Sequence, residues 1–343
     1  TVGKNGYANR AANGGAVWQE KGMLTIKGGS FSYNTATASG GAIYVNGGSM
    51  NVDLVTEFSN NAATGNGGAV YVAKDTGNIQ ITNAVFTANK GDNGGAIYIA
   101  KDAGTVIVSG GIFTGNQAVN ATAGAGGAIY NDGAMKLNNA AVGVDGGSAN
   151  TAVNGGGIYN AGKTLTLSNG TVISLNSAAQ GGGIYNADSS ELVLTGATIS
   201  DNIATGTNGK GGGLYNADGV ELTVTGGTIS SNDAQDGAGF FNAGILTLTG
   251  TTFSDNIAIG KGGGLYNTGS MKLGGATFAK NSAADGGALY NMSGTSTIEN
   301  GTFTENTASA NGGALYNAAG ANLTVSSATF GGSTATGNSA ETG

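Results

Sequence analysis

Apolar residues recur along the chain in three short patterns, always in the same order. The first is a small-residue cluster followed by an aliphatic residue and an aromatic, as in GGAIY at 40–44 and GGGLY at 211–215. The second alternates apolar and polar positions, as in Leu24/Ile26, Ile79/Ile81, Leu165/Leu167, Leu192/Leu194, Leu222/Val224, Leu246/Leu248 and Leu323/Val325. Alternation with period two places one face of a strand against a core. The third is Phe or Ile, two variable residues and Asn, as in Phe31/Asn34, Phe86/Asn89, Ile199/Asn202 and Phe303/Asn306. No stretch carries the period of a helix.

The aromatic of the first pattern marks the repeat. It falls at Trp18, Tyr44, Tyr71, Tyr98, Tyr130, Tyr159, Tyr185, Tyr215, Phe241, Tyr266, Tyr290 and Tyr316, with spacings of 24 to 32 residues and a mean near 27. Each unit therefore reads strand, turn, strand, turn, strand, loop. Three short strands cannot bury a face alone, but stacked copies can. The predicted fold is all-β: a single-stranded parallel β-helix (β-solenoid) of about twelve coils, continuous over residues 1–343.

Composition fits that stack. The chain holds 68 Gly and no Pro, Cys or His in 343 residues. Glycine serves corners and close backbone approach, and proline would remove a donor from strands paired on both sides. Asn follows the aromatic at Asn131, Asn160, Asn186, Asn216, Asn242, Asn267, Asn291 and Asn317. Stacked along the axis, these side chains form a hydrogen-bonded ladder. The earlier coils have Gln19, Val45, Val72 and Ile99 there.

The missing residue types and the charge narrow the chemistry. Without His or Cys there is no imidazole base, thiol nucleophile or imidazole-ligated metal. The net charge is −7, with Arg10 the one arginine, which disfavours nucleic acid. No apolar run has the length of a membrane span, and the first residues are polar, with no targeting segment among them. No cofactor or catalytic residue is expected.

The alternation of GGA[ILV] and FxxN through a Gly- and Asn-rich chain resembles the passenger repeats of chlamydial polymorphic membrane proteins. The resemblance implies a right-handed parallel β-helix displayed outside a bacterial cell by an autotransporter, with an adhesin role. Two features depart from the family pattern: no barrel follows Gly343, and the family's cysteines are missing.

Three features remain as candidate sites. Asp188/Glu191 and Asp218/Glu221 follow Asn-Ala in adjacent coils, and compete as a solvated acidic patch, a weak Ca²⁺ site or a catalytic pair. The aromatic column is an exposed stripe for sugars or a partner if the preceding aliphatic points inward, and core if the tyrosine does. Longer units contain residues 117–124, 144–153 and 206–210, expected to project from the edge before the double glycine, where solenoids elaborate binding. No capping segment is visible at either end, so the chain reads as a fragment of a longer solenoid or as a filament protomer.

The expected function is thus a non-enzymatic extracellular surface rod of the adhesin type, bound to a host or environmental glycan or protein. The alternatives are a filament subunit stacking head to tail on itself, and a polysaccharide-cleaving β-helix enzyme.

Overall fold

The computed structural model describes residues 2–4, 6, 8–168, 170–331 and 337–341, and every regular element among them is a β-strand. Two compact units result, Thr1–Ser177 and Ala178–Gly343. Each contains six aromatic strands, so the described residues build a parallel β-solenoid of about twelve coils in all.

One coil of the first unit shows the plan. Its aromatic strand is Val70–Val72, its alternating strand Ile79–Thr82, its phenylalanine strand Val85–Thr87, and a fourth, two-residue strand is Lys90–Gly91. Each pairs in parallel with its counterpart one coil on, through Tyr71↔Tyr98, Ile79↔Val106, Phe86↔Phe113 and Lys90↔Gln117. The second unit repeats the plan, with Tyr215↔Phe241, Leu222↔Leu246, Ile229↔Phe253 and Asp233↔Ile257. Like residues therefore lie over like, which is what a fixed repeat length imposes on parallel strands.

The strands of each coil contribute to three sheets. Met23–Ser32 and Ser49–Ser59 run through both the alternating and the phenylalanine positions and fuse those ladders into one sheet. The third sheet is built by the short strands of two to five residues, which lie where the sequence suggested a loop.

The core follows from the alternation. Ile43, Val70, Ile97, Ile129 and Ile158, each just before an aromatic, are fully buried, as are Val52, Ile81, Val108, Leu137 and Leu167 of the alternating strands. Phe31, Phe58, Phe86 and Phe113 stack inside the first unit at 4.7–5.1 Å. Phe253, Phe278 and Phe303 do so in the second at 4.6–5.0 Å, and the half-exposed Phe330 stacks on Phe303 at 4.7 Å. Ring stacks add to the area term of aromatic burial.

The double glycine marks a corner with no room for a side chain. Gly40 has φ +67°, and a Cβ on Gly41 would fall on the carbonyl oxygen of Gly68 and within 2.7 Å of the Ala62 backbone. Ala62 begins a two-residue strand, so the aromatic strand and the short strand meet here backbone to backbone. The inward residue of the short strand is correspondingly small: Ala36, Ala63, Gly91 and Ala118 in one unit, Ala204, Ala234, Ala258, Ala283 and Ala308 in the other. Ala238 takes the second-glycine position of one coil, and its methyl joins Ala204, Ala234, Ala258 and Ala283 in one cluster.

Candidate binding surface

The aromatic column is built by the register of the aromatic strands. Trp18, Tyr44, Tyr71, Tyr98, Tyr130 and Tyr159 stack face to face in the first unit with centroids 4.6–5.2 Å apart. The tyrosines are half-buried with the aliphatic neighbours inside, so the column lies on the outer face. Its ring faces are occupied by neighbouring rings, however, and what remains for a ligand is the edges. Stacking of sugars on the stripe is thereby blocked except at Trp18, which is 49% exposed.

In the second unit Tyr185, Tyr215 and Phe241 stack, but Tyr266 stands edge-on to Phe241 and Tyr290, at 79° and 82°. Phe241, Tyr266 and Tyr290 are buried, against the expectation of a continuous exposed stripe. Lys210 Nζ lies 4.5 Å from the Phe241 ring centre and Lys261 Nζ 5.0 Å from that of Tyr290. These cation–π contacts cover the column there. Tyr316 stacks on Tyr290 at 4.7 Å and is half-buried.

The insertions use more than one corner. Residues 119–124 stand between the short strand and the double glycine, where Asn120 Oδ1 accepts from Thr122 N and Ala123 N, both at 3.2 Å. Residues 144–149 instead precede Asn150, between the phenylalanine position and its Asn. Ser148 O there accepts from Gly115 N at 2.8 Å and from Thr114 Oγ at 2.9 Å. The expectation of a single projecting edge is corrected accordingly. Val142 pairs with Phe113 and Ile173, and the extra residues delay the Asn.

The loop at 119–124 walls a pocket of about 360 Å³ lined by Asn93, Thr122, Ala123, Tyr130, Asn154 and Tyr159. Asn93 is held in place by donating to Asn66 Oδ1 at 3.0 Å and accepting from Ala125 N at 3.0 Å. The Tyr130 hydroxyl is pushed up to about 12, chiefly by burial, with Tyr159 and Asp132 adding to it. It stays protonated throughout the neutral range. The pocket thus offers neutral donors and acceptors, with no charged side chain in its lining.

Two asparagine ladders cross the coils. The ladder after the aromatic runs from Asn131 to Asn160 at 2.8 Å in the first unit, and through Asn186, Asn216, Asn242, Asn267, Asn291 and Asn317 at 2.7–3.0 Å in the second. The Asn of the third sequence pattern forms a second, more completely bonded ladder, which sequence reasoning used only as a motif. It runs Asn34, Asn61, Asn89, Asn116, Asn150, Asn176 in one unit and Asn202, Asn232, Asn256, Asn281, Asn306, Asn338 in the other. The signal was available: each of these is followed by one variable residue and then Ala or Gly.

The four carboxylates divide between two places. Asp188 and Asp218 lie near Tyr215, whose hydroxyl is raised mainly by burial and further by these two charges. Glu191 and Glu221 line a second pocket, of about 400 Å³, with Ser189, Ser190 and Thr223. Among the described residues no three Asp or Glu side chains are grouped as metal ligands would be.

The fold and surface define a class: a parallel β-solenoid that displays loops and outward columns on its stacked coils. The family model of the Chlamydia polymorphic membrane protein repeat matches residues 28–46, 55–73, 110–132, 250–268 and 300–318. Each match starts just before the phenylalanine position, crosses the Asn and the short strand, and ends just past the aromatic. No curated relative and no solved structure matches the chain. No helix of the described residues is long and apolar enough to cross a membrane. The repeat and the solenoid together support a cell-surface protein exposed outside the cell.

Proposed function

We propose that the chain is a non-enzymatic, adhesin-type protein of a bacterial surface, binding a host or environmental glycan or protein through the loop-walled side of its tyrosine column. The observation that carries this reading is the pocket between residues 119–124 and the Tyr130/Tyr159 edges, with Asn93 and Asn154 facing it. Uncharged amides, a hydroxyl and phenol edges suit a hydroxyl-rich or polar ligand. Binding of the purified chain to host cells and to an array of immobilised glycans tests it. Shortening residues 119–124 to a Gly-Ser link should abolish binding while circular dichroism is unchanged; undiminished binding would sink the assignment of this surface.

A second reading, self-assembly head to tail, has one observation in its favour. Phe330 stacks on Phe303 at 4.7 Å and is 50% exposed, so an apolar side chain of another copy could pack on it. Light scattering over a concentration series tests it. A particle mass that stays at one chain throughout would remove this reading.

A further inference from the structure

In the second unit the outward position of the short strands changes character. Ser282, Thr307 and Ser339 occupy it in later coils, but Ile203 and Ile257 stand on either side of Asp233 in parallel register. Ile203 is 43%, Ile257 55% and Ile259 75% exposed. Clustered apolar exposure beside a concavity is a mark of an interaction surface.

The longer excursion after Ala204 raises a wall beside them. Thr205 N and Oγ bond back to Ala178 O at 2.7 and 3.1 Å, and Gly209 N closes a turn onto Gly206 O at 2.7 Å. The groove so enclosed measures about 740 Å³ and is lined by Ile203, Thr205, Asp233, Gln235, Ile257 and Ile259, over buried Ala204 and Ala234.

Asp233 has no ion pair among the described residues. Burial raises its carboxyl above the ordinary value, and the neighbouring Asp201 adds repulsion. A carboxylate between two isoleucines, without a cation of its own, is complementary to one side-chain type: a basic head on an apolar stem.

We propose that this groove docks an extended segment of a partner protein through a Lys or Arg side chain, its methylene stem between Ile203 and Ile257 and its cation on Asp233. The two isoleucines flank Asp233 by one strand spacing each, ~5 Å, so the stem of such a side chain reaches both. The chain's net charge of −7 favours approach of a basic partner. This site lies on a different ladder from the tyrosine column and does not depend on the function proposed above.

Fluorescence anisotropy on the full chain tests the proposal, using labelled peptides Ser-Leu-Lys-Leu-Ser and Ser-Leu-Gln-Leu-Ser. The Lys peptide should bind about tenfold tighter or better, an energy gap of ~1.4 kcal/mol. Asp233→Asn, which is isosteric, should erase that preference, and Ile257→Thr should weaken both peptides several-fold. Absence of binding, equal affinities, or a preference that survives Asp233→Asn overturns the proposal. So does a dimer by sedimentation velocity that Ile257→Thr dissolves, since the groove would then belong to a second copy.

Discussion

Asn61 gives both its main-chain N–H and its side-chain amide to one atom, Asn89 Oδ1, at 3.0 and 2.9 Å. The second hydrogen of the amide goes down to Phe31 O at 2.8 Å. Three successive coils are thus tied by one buried side chain with its donors satisfied, a case where buried polarity specifies register at little cost.

The ladder after the aromatic is less complete, and the difference is measurable. Asn131 is its first member in the first unit, and its Oδ1 is buried without a partner. Below it stands Ile99, in register. Asn131→Val should change local stability by less than ~0.5 kcal/mol, because the orphaned oxygen merely moves to Asn160. Asn242→Val, in mid-ladder, strands Asn267 Oδ1 and should cost ~2–3 kcal/mol. Native-state hydrogen exchange of the flanking amides reads both.

Left-handed residues recur just before the buried Asn: Tyr33, Asn60, Ala88 and Leu175 in one unit, Asp201, Ser231, Asp255, Lys280 and Glu305 in the other, with φ of 53–58°. No β-branched residue is among them. An L-residue there pays about 1–2 kcal/mol, partly offset by its stiffer unfolded chain. Lys280→Gly should therefore stabilise by ~0.5–1 kcal/mol, and Lys280→Val should destabilise by a similar amount or more. Shifts of the urea midpoint in opposite directions are expected; same-signed shifts would contradict the strain argument.

At Gly95 the corner lacks the room for a methyl that the coil of Ala238 has. A Cβ on Gly95 would fall on Gly127 O and the Gln117 backbone, atoms that cannot rotate away. Gly95→Ala should cost about 3 kcal/mol, seen as loss of exchange protection in the two coils concerned.

The tyrosine column should make the first unit alkali-sensitive. Burial holds Tyr130 at about 12 and raises Tyr98 further. A folded value above the unfolded one of about 10 means stability fully present below pH 10 and lost as pH climbs through 12. The melting temperature should fall over that window, and Tyr130→Phe should flatten the fall. Equal slopes for the two proteins would show that Tyr130 is not responsible.

The period, the parallel stack and the inward aliphatics were legible because each is a one-dimensional pattern repeated many times. Val142 and Asn150 were not matched as a pair, because the insertion between them broke the fixed FxxN spacing. The short strands escaped notice since two residues such as Lys90 and Gly91 carry no alternation to read; only their recurrence after Asn betrays them. Orientation was the other gap. A column of aromatics suggests a sugar platform, but strand spacing near 4.8 Å is also ring-stacking distance, so neighbours take the faces that a ligand would need. The grouping of Ile203, Asp233 and Ile257 is a matter of register across coils, which no single repeat displays.

The Asn61–Asn89 contact has a last consequence for how such a chain changes over time. Most coils present their neighbours with the same asparagine, an apolar side chain at the phenylalanine position and the same bare corner, so the interface above a coil closely matches the one below. Removing residues 62–89 would leave Asn61 facing Asn116 as it now faces Asn89. A whole coil is therefore an exchangeable cassette. Duplication, deletion or shuffling of coils can lengthen the stack or swap its loops while no buried contact has to be invented, whereas a gain or loss of part of a coil breaks every ladder at once.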